Sequence, residues 1–358
     1  MGRKRNPKRQ IVLLPVFICV ILNLSTACIS GRLMADDAEI IRLAVARALD
    51  KDVTQLTAGD FTFVTELDLS DSNITDISLL GGCRNLINLR LSNNRITDVS
   101  VLSKLTHLEK LTLSGNRITD TEPFSALTNL KVLSLSDNRI TDTSPFSKLP
   151  QLTGLYLANN RISDVSGLSM LMNIRSLDLS GNNIEDIGPL SSLRTLGKLS
   201  LSRNEISDIR PLWSLTRLMT LYLSDNRITD IRTLSNLPSL IDLSLSGNMI
   251  TDITPLSART NLTWLYLSNN RISDIAPLSK MVNLQALYLN DNKITDISAL
   301  AALKYLKKLD ISDNRIADLG PIKSLENLKV VGLRSTEPIA SSQLDELKRT
   351  LPALRINR

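Results

Sequence analysis

Histidine, cysteine and aromatic residues are all scarce in this 358-residue chain, and each scarcity excludes a class of function. The single histidine, His107, leaves no histidine-based triad, and no serine, cysteine or carboxylate pairing stands out from the repeated pattern. Three cysteines are too few for a small disulfide-stapled scaffold. The composition therefore predicts a protein that is not an enzyme and that carries no cofactor or metal.

The positive charge of the chain is concentrated at its N-terminus. The formal net charge is +6, but five of the 42 basic residues and none of the 36 acidic residues fall within residues 1–27. Without that segment the chain has 37 basic and 36 acidic residues, a net charge of +1. Because nucleic-acid binders carry a strong basic surface, no nucleic-acid partner is expected.

Residues 1–27 have the layout of a secretory signal peptide. Basic residues from Arg3 to Arg9 precede an apolar run at 11–24, and small residues follow at 25–27. The apolar run is shorter than the about 20 residues that a membrane-spanning helix needs. The segment therefore predicts cleavage and a secreted or cell-surface, envelope-associated protein.

The processing of this segment has two alternatives. Cleavage after Ala27 fits the rule of small residues flanking the cleavage site, whereas lipoprotein processing leaves Cys28 as a lipidated N-terminus. Residues 28–35 then form a short linker. Contact with a membrane is expected only through such a lipid or through an uncleaved signal.

From residue 64 onward the chain repeats every 22 residues without insertion or deletion. About twelve repeats within residues 64–335 follow the pattern L-x-L-S-x-N-x-I-T-D-I-S-x-L-x-x-L-x-x-L. Asparagine keeps this spacing at Asn94, Asn116, Asn138, Asn160, Asn182, Asn204, Asn226, Asn248, Asn270, Asn292 and Asn314. A period of this length indicates a solenoid of stacked coils that share one continuous apolar core.

Each column of the repeat has a predicted physical role. Leu-x-Leu is a short strand with inward leucines, and the asparagine amide pairs with turn backbone that would otherwise be buried without partners. Thr121 and Thr143 replace the usual isoleucine in two repeats, and the larger Phe124 and Phe146 are expected to fill the lost volume. The proline that follows the Asp-Ile segment in seven repeats predicts short 3₁₀ turns on the return side.

An aspartate column runs from Asp76 to Asp318, with one carboxylate per coil. A calcium loop gathers several oxygen ligands within about a dozen residues, so this spacing disfavours calcium. The column is instead predicted to cap the 3₁₀ turns and to pair with arginines such as Arg95, Arg117 and Arg139.

Both ends of the array have helical signals. Apolar residues from Ile41 to Leu49 form a helical stripe behind Asp36 and Asp37, which predicts an N-terminal helical cap over residues 36–63. Residues 336–358 are predicted to be a C-terminal cap, with a helix over 341–351. Such caps keep the ends of a solenoid soluble.

These repeats resemble those of the bacterial internalin family over residues 36–358. The resemblance implies an α/β leucine-rich-repeat solenoid, a right-handed arc with a concave parallel β-sheet, a convex side of short 3₁₀ turns and helical caps at both ends. It also implies protein recognition on the concave face.

The outward positions of the strands concentrate the few aromatic residues. Four of the five tyrosines lie in the middle outward column, and Trp264 lies in the adjoining one. Tyrosine suits strands in general, but tyrosine and tryptophan are also the residues most enriched at binding hot spots. The candidate protein-binding residues of the concave face are Tyr156, Tyr222, Trp264, Tyr266 and Tyr288, with Lys198, Asp178 and Asp242 in a charged surround.

The sequence therefore predicts an exported, monomeric leucine-rich-repeat protein that binds a protein partner through its concave face. The alternative is a structural or scaffold component of the cell envelope, tethered as a lipoprotein through Cys28.

Overall fold

A computed structural model describes residues 36–334 and 339–357 of the chain. The predicted signal peptide, the linker and Cys28 lie outside these residues. No helix within the described ranges is long and apolar enough to cross a membrane.

The described residues form one parallel β-sheet of fourteen strands in sequence order. Helix α1 precedes the first strand, and helix α2 lies between the last two strands along the chain. The strands are β1 (Glu66–Asp68), β2 (Asn88–Arg90), β3 (Lys110–Thr112), β4 (Val132–Ser134), β5 (Gly154–Tyr156), β6 (Ser176–Asp178), β7 (Lys198–Ser200), β8 (Thr220–Tyr222), β9 (Asp242–Ser244), β10 (Trp264–Tyr266), β11 (Ala286–Tyr288), β12 (Lys308–Asp310), β13 (Val330–Gly332) and β14 (Arg355–Asn357). The α-helices are α1 (Asp37–Ala48) and α2 (Ser341–Thr350).

Short 3₁₀ helices occupy the return side of the coils, as the proline column predicts. Their bounds are Ser78–Gly82, Ser100–Lys104, Glu122–Ala126, Ser144–Lys148, Ser166–Leu168, Gly188–Ser192, Arg210–Ser214, Arg232–Asn236, Thr254–Ala258, Ala276–Lys280, Ser298–Ala302 and Gly320–Ser324. Two further 3₁₀ helices, Val53–Gln55 and Asp60–Phe63, precede β1.

The constant repeat length sets the register of the sheet. Leu67 pairs with Leu89, Leu89 with Leu111, and the same 22-residue step continues to β12. Each column of the sequence therefore becomes a straight row across the strands. The inward rows form the core, and the opposite side, here called the open sheet face, carries the outward residues of every strand. The predicted leucine-rich-repeat solenoid is confirmed.

The two unusual repeats bury their phenylalanine and threonine side chains together, in keeping with the predicted exchange of volume. Phe124 and Phe146 are fully buried, and their ring centroids lie 6.4 Å apart in adjacent coils. Thr121 and Thr143 are also buried, and each hydroxyl donates a hydrogen bond of 3.1 Å to a backbone carbonyl of the next coil. The larger ring fills the space, and the hydroxyl that replaces the isoleucine is not left without a partner.

The asparagine column forms the predicted ladder. Asn116 Nδ2 donates to the Leu91 and Leu113 carbonyls, both at 2.9 Å, and its Oδ1 accepts from the Ile96 amide at 3.0 Å. One side chain therefore serves the backbone of two consecutive coils. An unsatisfied buried backbone group costs about 1–3 kcal/mol, so this column is a major source of stability.

The aspartate column caps the 3₁₀ helices, as predicted. Asp98 Oδ1 accepts from the Ser100 amide at 2.8 Å, and the aspartates of other coils repeat this bond. These backbone and side-chain hydrogen bonds from Ser100 lower the pKa of Asp98.

The prediction of which arginines pair with the aspartate column is wrong. Within residues 36–334 and 339–357, Arg95, Arg117 and Arg139 form no ion pair with an aspartate of the column. The arginines that do pair with it follow their aspartate by two residues, as in Arg210 Nη2 with Asp208 at 2.7 Å. The reason is geometric, because a residue at the start of the 3₁₀ helix lies beside the capping carboxylate.

The first end of the sheet is covered by α1, and the last end is extended by β14. Asp36 caps α1 by accepting from the Glu39 amide at 2.7 Å, and Ile41 and Val45 of α1 are buried in the core. At the other end β14, which has no Leu-x-Leu signature and was not predicted, pairs with β13 in parallel. The C-terminal segment thus supplies both a helix and a final strand.

Candidate functional site

The register brings the predicted aromatic residues together on one part of the open sheet face. The middle outward row runs Tyr222, Ser244, Tyr266 and Tyr288 across β8–β11, and Trp264 lies in the adjoining row on β10. We call Tyr222, Trp264, Tyr266 and Tyr288 the aromatic patch. Their neighbours in the adjoining row include Lys198, Asp242 and Lys308.

Two tyrosines of the patch are stacked. The ring centroids of Tyr266 and Tyr288 lie 4.8 Å apart with planes only 6° from parallel. Neighbouring parallel strands are about 4.8 Å apart, so identical residues in register reach this stacking distance without distorting the backbone. Trp264 beside them is 37% exposed, a large fraction for an indole.

Tyr222 is held by a charged neighbour on the next strand. Its hydroxyl donates to Asp242 Oδ2 at 2.6 Å, and Lys198 Nζ lies 6.0 Å from its ring centroid. Burial and this hydrogen bond to a carboxylate raise the pKa of Tyr222 to about 12. The phenol therefore stays protonated, and remains a donor, throughout the neutral pH range.

Asp242 contributes only one of its two oxygens to this contact. Its Oδ1 is buried and has no hydrogen-bond partner among the residues that the structure describes. Buried polar atoms of folded proteins nearly always have a partner, and leaving one unsatisfied costs about 1–3 kcal/mol. Asp242 is therefore an energetically costly residue whose visible benefit is the orientation of Tyr222.

On the opposite side of the patch, Lys308 Nζ lies 5.7 Å from the ring centroid of Trp264. The patch is thus flanked by lysines, Lys198 on β7 and Lys308 on β12. A ring face beside an ammonium group gains about 0.5–1 kcal/mol at an exposed site.

Tyr156 and Asp178 lie on the same face but outside the patch. Their strands, β5 and β6, are separated from Tyr222 by β7. Asp178 Oδ1 accepts from the amide and the hydroxyl of Ser180 at 3.0 and 2.6 Å. The Tyr156 ring lies over Gly154, where an added Cβ would come within 3.4 Å of it. Both side chains are engaged locally.

A second ladder, on the return side, was not predicted. Asparagines that precede the last leucine of a repeat donate to carbonyls of the previous coil, as Asn129 Nδ2 does to Thr106 at 2.9 Å. His107 occupies this column, and its Nδ1 lies 3.1 Å from the Arg84 carbonyl. The repeated x-N-L triplet was the available signal, and the contact gives the only histidine a structural role.

Known families cover most of the repeat region. The family described as Leucine Rich repeats (2 copies) matches residues 62–104, 84–126, 128–170, 216–258 and 260–302. Two related leucine-rich-repeat families match residues 172–228 and 302–320. No curated protein gives a match.

Solved structures narrow this assignment. The crystal structure of the internalin InlF from Listeria monocytogenes is 31% identical, covers 84% of this chain and 95% of its own, and has a TM-score of 0.77. The chain belongs to the internalin-like leucine-rich-repeat proteins. A second Listeria monocytogenes internalin, InlC2, is 33% identical over 64% of this chain and 92% of its own, with a TM-score of 0.51.

The fold of this internalin-like protein is also found in a plant receptor. The plant peptide hormone receptor RGFR1, solved in complex with RGF2, is 18% identical, with a TM-score of 0.64 over 82% of this chain and 58% of that chain. The structure of RGFR1 is that of its complex with RGF2, and stacked repeats of this kind create an extended surface suited to binding.

Proposed function

We propose that this internalin-like protein is exported and binds a protein partner through the aromatic patch on the concave face of its sheet. The observation that supports this most is the preorganised aromatic surface in a chain with only 3% aromatic residues. Tyr266 and Tyr288 are stacked, and Tyr222 is fixed by Asp242.

The physical properties of the patch suit a protein ligand. Tyrosine and tryptophan offer large, rigid contact area with a polar edge, which is why they dominate binding hot spots. Immobilising a free side chain on binding costs about 0.5–1.5 kcal/mol, and rings that are already stacked or hydrogen-bonded avoid part of that cost. Lys198 and Lys308 provide a polar rim around an apolar centre.

Export is supported by the layout of residues 1–27, with a basic start, an apolar run and small residues before Cys28. The internalins and the receptor to which the chain is similar are in keeping with an extracellular or surface location. Metabolic labelling with a palmitate analogue distinguishes a released binder from a tethered envelope scaffold. A labelled, membrane-retained protein supports lipidation at Cys28, and an unlabelled protein in the medium contradicts it.

A pull-down from surface extracts tests the binding site. The bait is the chain from residue 28 onward, beside the variant Tyr222→Ala, Trp264→Ala, Tyr266→Ala, Tyr288→Ala. Tyr305→Asn is the matched control, because it removes an exposed aromatic outside the patch and introduces the asparagine of its column.

We expect the parent chain and the Tyr305→Asn control to capture the same protein and the patch variant to lose it, with unchanged circular dichroism. Equal capture by all three chains would place binding outside the aromatic patch.

A further inference from the structure

A second surface lies on the return side of the coils, around Trp213. Eight other coils have serine in the column of Trp213, namely Ser103, Ser125, Ser147, Ser169, Ser191, Ser235, Ser257 and Ser279. Six of these hydroxyls donate to the carbonyl three residues earlier at 2.6–2.8 Å. Trp213 cannot make this bond, and its side chain is 54% exposed. The substitution removes a local stabilising contact and leaves a large indole in water.

Arg217, close by, also departs from its column. Six coils have an asparagine there that donates to a carbonyl of the previous coil at 2.8–3.4 Å. Arg217 is exposed and has no ion pair or hydrogen bond within residues 36–334 and 339–357. Trp213 and Arg217 therefore each give up a structural hydrogen bond that other coils make, and the fold itself requires neither residue.

These residues line one groove. It has a volume of about 560 Å³, and Arg194 and Trp213 lie in its wall with Arg217 and Asn236. Arg194 is also exposed, and its guanidinium group has no ion pair or hydrogen bond in the part of the chain that the structure describes. Among the residues that the structure describes, none that lines the groove carries a carboxylate. The groove therefore combines an exposed indole with two guanidinium groups.

Another exposed apolar residue, Met172, lies next to the groove residue Thr195. Thr195 donates through its hydroxyl to the Met172 carbonyl at 2.8 Å, and Met172 itself is 50% exposed. Tryptophan, arginine and methionine are enriched at protein interfaces, whereas acidic residues are depleted there.

We propose that this groove binds an acidic segment of a protein partner that carries apolar side chains between its carboxylates. The guanidinium groups of Arg194 and Arg217 donate bidentate hydrogen bonds to carboxylates, and Trp213 packs against an apolar side chain. A protein segment fits better than an anionic membrane, since membrane-binding surfaces present clusters of about 4–8 basic residues and this groove has two free ones. The groove acts separately from the aromatic patch.

Consensus substitutions provide a sharp test. The variant R194T/W213S/R217N introduces at each position a residue that other coils have in the same column, so the fold is expected to remain intact. Tyr305→Asn again serves as the control for loss of an exposed aromatic on the return side. The probe is a fluorescein-labelled 12-residue peptide in which Glu and Asp alternate with Leu and Phe, measured by anisotropy with the full chain.

We expect the wild-type chain to bind this peptide at least tenfold more tightly than an all-Glu peptide or a peptide with Lys in place of the acids. The triple variant should lose at least tenfold in affinity, and the Tyr305→Asn control should lose less than twofold. Binding should weaken at high salt, because the arginines are solvent-exposed.

Three results would overturn the proposal. They are equal affinity of the triple variant, no preference for the acidic apolar peptide, and binding only to vesicles that contain phosphatidylserine. The patch variant with four alanines should bind the peptide like wild type. If that variant alone loses the peptide, the ligand belongs to the aromatic patch and the groove proposal fails.

Discussion

The first strands of the open sheet face and strands β8–β11 are built on the same inward leucines but present opposite kinds of surface. On β1 and β2 the outward side chains pair with each other, Asn88 with Glu66 at 2.9 Å and Arg90 with Asp68 at 3.4 Å. These exposed contacts are worth little in water, about 0–1 kcal/mol each. The outward surface of β1 and β2 is therefore polar, and its side chains bond to one another.

On β8–β11 four of the eight outward positions hold aromatic rings. Tyr266 and Tyr288 stack, Trp264 is exposed, and Asp242 orients Tyr222 with one oxygen while the other has no partner within the described ranges. The two regions therefore differ only in residues that the fold does not need. Inward columns determine the solenoid, and outward columns are free to determine what it binds.

Truncating the core should affect both regions equally. We expect Leu111→Ala on β3 and Leu265→Ala on β10 each to lower the free energy of unfolding by about 2–5 kcal/mol, because both leucines are fully buried in equivalent coils. Urea denaturation followed by circular dichroism measures the change. A much smaller loss for Leu265→Ala would mean that the aromatic region is supported differently, and the equivalence of the inward columns would not hold.

Truncating an outward side chain should affect binding differently in the two regions. Trp264→Ala should weaken binding of the captured partner by about 2 kcal/mol or more, roughly 30-fold, since a central tryptophan is a typical hot spot. Val132→Ala, the matched change in the same outward row of β4, should alter affinity less than twofold. Surface plasmon resonance with the partner measures both, and similar losses at the two positions would contradict a localised site.

The ladder prediction compares structural and surface asparagines. Asn204→Asp keeps an acceptor for the Ile184 amide but removes the donor to the Leu179 and Leu201 carbonyls, each at 3.0 Å. We expect a loss of about 1–3 kcal/mol in stability.

Asn183→Asp, at an exposed position whose side chain makes no hydrogen bond within the described ranges, is the control for Asn204→Asp. It should change stability by less than about 0.5 kcal/mol, as surface substitutions usually do. Thermal unfolding at neutral pH measures both changes. Equal melting temperatures for the two variants would contradict the stabilising role of the asparagine column.

Much of the fold was predictable because each feature recurs within one repeat. The leucine rows, the Asn116 ladder and the Asp98 cap depend on residues at constant spacing. Phe124 and Phe146 keep that spacing and stand out because they replace leucine. The strand β14 was missed because Ile356 lacks the Leu-x-Leu context. Such a strand forms only where the end of the sheet offers an unpaired edge.

The candidate site was predictable in its position but not in its contacts. The alternation of the strands placed Tyr222, Trp264, Tyr266 and Tyr288 on one face. It could not show that Tyr222 turns toward the next strand to reach Asp242, since side-chain rotamers depend on all neighbours together. Trp213 was overlooked for a related reason, because its meaning depends on the groove that adjacent coils form around it.

The smallest expected effect concerns the proton of Tyr222. Its pKa is raised to about 12 first by burial and then by the hydrogen bond to Asp242. A raised folded-state pKa means that the neutral phenol stabilises the fold fully below the ordinary value near 10, and that this contribution is lost as pH rises through about 12.

Replacing Asp242 with asparagine isolates the part of the Tyr222 pKa shift that the carboxylate causes. Absorbance titration at 295 nm, with Tyr222→Phe subtracted to isolate this phenol, should show Tyr222 ionising at lower pH in Asp242→Asn than in the wild-type chain. An unchanged midpoint would mean that burial alone holds the proton. Tyr222 would then be oriented by packing, as Tyr156 is. The stacking of Tyr266 and Tyr288 would then be the remaining evidence that the aromatic patch is preorganised.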